Sequence, residues 1–310
     1  MSDVAQQHEQ KRQEVQQALG QPLTATDQKV QVLPSWMDLL AGAPPQALSA
    51  SEPVGDDSKK PEIEPGDAGA YEEVKGEAFV QGKDDAKKVN INDVKQGSLG
   101  DCYFLATLAA VARVRPDMIE KMVKDNGDGT WTVTFTDVGV LWNSAETVTV
   151  DSKFWVDGGD PVYAKKGDVG EKGPELWVMV IEKAWAQLHG GYGKILGGDS
   201  GKRDAWEAVT GQSASHEEPS DYSADELFEA VKKHFDAKKP AIFWSNKPEG
   251  EAAKKQEKDG VVGNHEYVLN GVNGDAKTFD LYNPWGSKHL NGVDAAFIQK
   301  HFQRVRFLQV

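Results

Sequence analysis

A long apolar run, CYFLATLAAVARV, fills positions 102–114 and ends against Arg115 and Pro116. Its apolar residues recur at helical spacing and proline cannot continue a helix, so the run predicts a helix that stops at Arg115. A second segment, PELWVMVIEKAWAQLHG at 174–190, carries apolar residues on more than one face and predicts a largely buried helix. Both helices need a core to hide in, and a chain of 310 residues is long enough to build one.

The pattern then changes. RDAWEAVTG predicts a short helix, and SADELFEAVKKHFDAKK an amphipathic one with Leu227, Phe228, Val231 and Phe235 on one side. PAIFWS reads as a buried strand, HEYVLNGVNGDAKTFDLYNPW as a hairpin, DAAFIQKHF as a helix and RVRFLQV as a last strand. Between the strand and the hairpin, residues 246–263 read as a charged, glycine-bearing loop. Earlier, NGDGTWTVTFTDVG and WNSAETVTVDSKFWV alternate Thr and Val around turn signals and predict a further hairpin. The fold class expected is α+β: a helical half over about 71–211 and an antiparallel β half over about 212–310.

Ahead of this body, residues 41–70 have the Pro, Ala, Ser and acidic composition of a linker. Residues 1–70 are therefore expected to be a flexible N-terminal segment, with the body starting near Tyr71. One apolar cluster in it (Trp36, Met37, Leu39, Leu40) suits an inhibitory pro-segment removed by self-cleavage, a sorting or partner-binding tail, or a plain disordered tail.

Charge and cysteine content exclude several classes. The net charge is -14 with no Lys/Arg block, which argues against a nucleic-acid partner. One cysteine gives no disulfide framework and no CxxC metal or redox motif. The N-terminus lacks the apolar stretch of a secretory signal, and no run approaches the roughly 20 apolar residues of a membrane span. The expected location is the cytoplasm, or outside after export without a conventional signal. GxGxxG, P-loop, HExxH and EF-hand patterns are absent from the sequence.

The single cysteine, Cys102, stands at the start of the first apolar helix, after QGSLGD. A thiol in a first helical turn feels the positive end of the helix dipole, and with a nearby imidazolium it is expected to have a lowered pKa. Gln96 lies upstream, where its amide can join the Cys102 backbone N–H around an oxyanion. The glycines at 97 and 100 are expected to let the backbone approach a substrate. Far downstream, the predicted hairpin carries a histidine and an asparagine. A three-residue loop at Asn273-Gly274-Asp275 would set His265 opposite Asn283, so that the amide oxygen fixes the imidazole tautomer. A two-residue turn would slip the register and separate them. Cys, His and Asn in that order suit nucleophilic catalysis; a buried cysteine used only for packing is the bland alternative.

These residues resemble the calpain protease core. QGSLGDCYFL is similar to the family's cysteine motif, and NHEYVL and LYNPWG to its histidine and asparagine motifs. ELWVMVIEKAWAQLHGGY, GGDSGKRDAWEAVTG and LFEAVKKHFDAKKPAIFWS resemble the segments between them, in collinear order over roughly residues 75–310. The resemblance implies a papain-like fold with its cleft between the halves, and a cysteine endopeptidase acting on proteins or peptides. It implies that Cys102 is the nucleophile, His265 the acid and base, Asn283 the orienter of the imidazole and Gln96 the oxyanion donor. It also implies that Trp285 shields the His–Asn pair and that Gly197 and Gly198 flank the cleft. The loop at 246–263, just before His265, is expected to act as a gate. A papain-fold transferase or deamidase would use the same residues, and a binding protein with a dead site is the non-enzymatic alternative.

Tyr103 and Tyr282 depart from the family's usual Trp and Arg. Nothing resembling its calcium-sensing C-terminal modules follows the core. Calcium within the core is expected from Asp93 and Glu175 in the first half, a pair short of a full shell. The segment after NPWG lacks the matching acidic residues. No cofactor is therefore expected to be required, and calcium dependence is expected to be weak, partial or absent.

Overall fold

A computed structural model describes residues 61–62, 67–83, 85–136, 145–198 and 204–310. The readings for residues 1–60, the apolar cluster at 36–40 included, lie outside them. The body begins earlier than Tyr71. Strand β1 (Ala70–Glu73) already pairs with a later strand, and the Pro61 and Glu62 carbonyls accept from Trp155 Nε1 and the Tyr192 N–H, each at 3.1 Å.

The first half is built on two helices. Helix α1 (Cys102–Val114) is followed at once by α2 (Pro116–Met122), whose first residue is the proline that ends α1. Strands β2 (Val123–Asp125), β3 (Thr130–Thr136) and β4 (Ala145–Asp151) form an antiparallel sheet in the order β2-β3-β4. Strand β5 (Lys153–Asp157) lies between β1 and β6 (Asp160–Pro161), and β7 (Val169–Gly170) pairs with β8 (Gly173–Pro174). Helix α3 (Trp177–His189) crosses behind, closed by Gly190 in the left-handed conformation that suits a residue without Cβ. Every residue of α1 from Tyr103 to Ala112 is buried, and the Phe104 ring stacks on Trp185 of α3 at 4.8 Å. Helix α4 (Ala205–Thr210) completes this half, capped by Asp204.

The second half is one six-stranded sheet. Strand β9 (Ala214–Glu217) precedes α5 (Ala224–Asp236), which starts with a full capping box of Ser223 and Glu226. Then come β10 (Ala241–Ser245), α6 (Gly250–Lys258), β11 (Glu266–Asn273), β12 (Thr278–Tyr282), β13 (Leu290–Asp294), α7 (Ala295–His301) and β14 (Phe302–Leu308). The sheet order is β13-β12-β11-β10-β14-β9, antiparallel throughout. One face packs on α5 and α7 through Phe243, Tyr267, Leu269 and Phe279. The other joins the first half's core through Ile242, Val268, Tyr282 and Leu308. That contact sets α1 against β11 and β10, and so sets Cys102 beside the end of the sheet.

Two expectations fail here. Residues 246–263 are not a loop, because α6 occupies 250–258. Gln256 is buried and donates to the Asn246 carbonyl at 3.0 Å, which ties the helix down. The hairpin register also differs. Its turn is four residues, 274–277, with Asn273 Oδ1 accepting from the Asp275 and Ala276 N–H groups. Asn273 therefore pairs with Thr278, and a bulge between Leu269 and Gly271 shifts the register so that Val268 pairs with Tyr282. Without that bulge Asn283 would fall opposite Val268 and point to the wrong face. With it, Asn283 shares a face with His265, offset by two positions.

Candidate active site

Cys102 is the first residue of α1, where a backbone N–H has no partner within the helix. Asp101 occupies the capping position, but its side chain does not cap. Its carboxyl group is wholly buried, takes a 3.3 Å hydrogen bond from Gln96 Nε2 and faces the buried carboxyl of Glu182. Burial raises both acids, Asp101 to about 7 and Glu182 well above its ordinary range, so the pair favours holding a proton.

The thiol is half-buried against the backbone of Glu266. Burial, aided by the Glu266 carboxylate, pushes it up to about 12, against the expected lowering by the helix terminus. Burial also holds His265 below its ordinary range, although its bond to Asn283 pulls the other way. Near neutral pH the resting pair is a neutral thiol and a neutral imidazole.

His265 Nε2 donates to Asn283 Oδ1 at 2.8 Å. The Trp285 N–H donates to the same oxygen at 2.9 Å, which fixes the amide orientation. An amide oxygen only accepts, so the imidazole proton sits on Nε2 and the Nδ1 lone pair is left for other work. The Asn283 N–H donates to His289 Nδ1 at 3.0 Å. The Trp285 ring lies 5.0 Å from the His265 ring, and both Asn283 and His265 are buried.

Cys102, His265 and Trp285 line one cleft of about 730 Å³. Gly197 and Gly198, both at positive φ, line it too, and the Gly197 N–H donates to the Gly100 carbonyl at 2.9 Å. Val262, Gly263 and Asn264, between α6 and His265, form part of its rim. Sequence reasoning missed Leu196, Trp244, Glu266, Arg304 and Arg306, which also line it. Leu196 is one of the large hydrophobic residues left exposed among the described residues. The Arg-x-Arg alternation at the chain's end was the available signal for the last two, since residues two apart on a strand share a face.

Two further expectations change. Both hydrogens of the Gln96 amide are engaged, by the Leu99 carbonyl at 2.6 Å and by Asp101, so in this state the amide braces its own loop. Its Oε1 is buried without a donor among the described residues. Gly97 is needed for close approach to the protein's own chain: a Cβ there would lie 2.0 Å from the Tyr163 carbonyl oxygen.

A separate acidic hollow of about 610 Å³ lies where Tyr282 and His289 meet the first half. Asp85, Asp93 and Asp168 each bring a carboxylate oxygen there, all within 4.8 Å of one another. Asp93 is the expected residue; Asp85 and Asp168 are additions. Glu175 stands beside them, accepting from the Val80 N–H at 3.0 Å through Oε1, while its Oε2 is buried without a partner among the described residues. Burial and mutual repulsion raise Asp93 to about 6 and Glu175 to about 9. Asp93 also works as a cap, accepting from the Asn90 N–H at 2.7 Å. An orphaned oxygen among converging carboxylates is a donor set that fits a hard cation such as calcium.

The family described as "Calpain family cysteine protease" matches residues 77–299. Among curated relatives, "Calpain-type cysteine protease DEK1" of Zea mays is 37% identical over 114 residues, covering 36% of this chain and 5% of its own length. "Calpain clp-4" of Caenorhabditis elegans is 28% identical over 211 residues, covering 65% of the chain and 28% of the relative. "Calpain-9" of Mus musculus is 27% identical over 216 residues, covering 64% and 29%. The chain thus spans less than a third of the length of each of these relatives.

Proposed function

The chain belongs to the calpain family of cysteine proteases, and from that premise we propose that it is an endopeptidase working through Cys102, His265 and Asn283. The observation that carries this reading is the 2.8 Å bond from His265 Nε2 to the buried Asn283 Oδ1, with His265 lining the same cleft as Cys102.

The Cys102 sulfur attacks the peptide carbonyl carbon while His265 Nδ1 takes the thiol proton. Because the resting pair is neutral, that proton leaves as the bond forms. The oxyanion lies beside the Cys102 N–H. The tetrahedral species collapses, the amine leaves with the proton from the imidazolium, and a thioester remains. Nδ1 then deprotonates a water that attacks the thioester, releasing the acid and returning the proton to sulfur. Asn283 holds the tautomer throughout, and Trp285 keeps water from the pair. Gln96 can turn to the oxyanion only by giving up its 2.6 Å bond to the Leu99 carbonyl.

Asp85, Asp93, Asp168 and Glu175 would hold calcium, which would supply the positive charge that offsets their repulsion. Asp85 and Asp93 sit on the segment leading to Gln96, Asp168 and Glu175 on a later one, and the Tyr282 hydroxyl donates to the Val94 carbonyl at 2.8 Å beside them. The cation's place in this reading is therefore structural. Removal of the N-terminal segment by self-cleavage belongs to the same proposal, and a shortened N-terminus in wild type but not in Cys102→Ala would mark it.

Labelling by an epoxysuccinyl thiol inhibitor tests the nucleophile. One equivalent is expected on Cys102 in the wild type, with none on the Cys102→Ala protein and strongly slowed labelling of His265→Ala. Equal labelling of wild type and His265→Ala would overturn the assignment of the base.

A further inference from the structure

The sheet face turned toward α1 continues outward as a wall of the cleft. Directly paired residues on antiparallel strands point to the same face. Glu266 on β11 pairs with Trp244 on β10, Trp244 with Arg304 on β14, and Arg306 with His216 on β9. All of them line the cleft. The row starts at the thiol, which touches the Glu266 backbone, and ends at the arginines.

The two arginines are held differently. Arg306 is 4% exposed, and its Nη2 donates to both oxygens of Asp204 at 2.8 and 3.1 Å. Its charge is answered. Arg304 is half-buried, its guanidinium carbon 5.4 Å from the centre of the Trp244 ring. Among the described residues it has no carboxylate or carbonyl to donate to. Arginine stays charged and carries five N–H donors, which match a carboxylate. The field of the pair is felt by His216, whose imidazole lies below its ordinary range through burial first and then Arg306 and Arg304, with Asp204 opposing. An uncompensated, aromatic-braced cation in the cleft of a chain with net charge -14 is a specific feature and not general surface charge.

Resting on the endopeptidase reading, we infer that Arg304, braced by Trp244, is a subsite for an acidic side chain of the substrate. Strands are about 4.8 Å apart, so Arg304 stands roughly 10 Å from Glu266 along the wall. An extended substrate advances about 3.4 Å per residue, which puts the acidic residue roughly two to three positions from the scissile bond. It lies on the side of that bond facing β14. Substrate carboxylates at this point replace missing acceptors for the guanidinium, whereas a neutral residue leaves them missing.

The test compares pairs of fluorogenic peptides identical except for Glu or Gln at one position, stepped through the four residues on either side of the cleavage point. The readout is the ratio of kcat/KM for Glu over Gln within one protein, so overall activity cancels. The wild type is expected to prefer Glu about tenfold at one position, with the ratio compressed by added salt. Arg304→Gln is expected to bring it to about one, and Arg304→Glu to bring it below one. A wild-type ratio near one at every position, or a ratio unchanged in Arg304→Gln, overturns the subsite and leaves the protease reading standing. Failure to cleave any peptide, with Cys102 refractory to the epoxysuccinyl label, overturns both. Should an Arg304 variant not fold, equilibrium binding of the Glu and Gln peptides to Cys102→Ala serves instead: about tenfold tighter Glu binding supports the subsite, and equal affinities overturn it.

Discussion

Two polar clusters lie on either side of the Tyr282–His289 segment at the junction of the halves, and they differ in charge. At His265 and Asn283, a ring N–H and a backbone N–H converge on one amide oxygen at 2.8 and 2.9 Å. Nothing is charged at rest. At Asp85, Asp93, Asp168 and Glu175, carboxylates crowd together, and among the described residues one oxygen of Glu175 has no donor. The first cluster is neutral, leaves the Asn283 Nδ2 group without an acceptor among the described residues, and has a lone pair to spend. The second carries negative charge that a proton or a cation must answer. Chemistry is expected from the first and ligand-linked stability from the second.

Replacing the imidazole tests that division most severely. His265→Ala removes the base and is expected to lower kcat/KM by about 10³–10⁴-fold with little change in calcium-dependent melting; a large loss of the calcium effect would blur the two clusters. Asn283→Ala leaves the ring but frees its tautomer, at a cost of about 2 kcal/mol, roughly thirtyfold in kcat/KM.

Asn283→Asp sharpens the electrostatic half of the comparison. An anion beside Nε2 favours the imidazolium, so the depressed pKa of His265 rises. The base is active only above that pKa, so the acid limb of the pH–rate profile is expected to move to higher pH. A limb that stays in place would assign it to another group.

The acidic cluster answers to melting curves. Raised carboxyl pKa values mean a folded state that prefers the protonated forms. Stability from these groups is full below their ordinary values near 4, and is lost as pH rises through about 6 for Asp93 and about 9 for Glu175. Calcium competes with those protons, so its stabilising effect is expected to grow from pH 5 to pH 9 and to shrink in Glu175→Gln. The expected size is a few degrees in Tm. A calcium effect independent of pH and of Glu175 would place the ion elsewhere.

Much of this was legible in the sequence, unevenly. Helices α1 and α3 announced themselves because their apolar faces are wide. The facing of His265 and Asn283 was foreseen through a loop that does not exist. A longer turn slips the register and the bulge at Gly271 restores the parity. Such compensations depend on packing across the strand, since a Cβ on Gly271 would lie 2.8 Å from Asp280 Oδ2, and no local pattern records them. Helix α6 went unread because Gln256 is its one buried residue, which leaves no apolar stripe. Short polar strands such as β9 and β13 lack strong alternation for the same reason. The thiol's raised pKa was out of reach because it follows from burial against Glu266, 164 positions away in the chain. Asp85 and Asp168 join Asp93 only through the fold.

The most direct measurement is digestion of casein by purified wild-type, Cys102→Ala and His265→Ala proteins, each with calcium and with EGTA. Fragments are predicted from the wild type alone, and persisting cleavage by Cys102→Ala would contradict the assignment of this cleft as the active site.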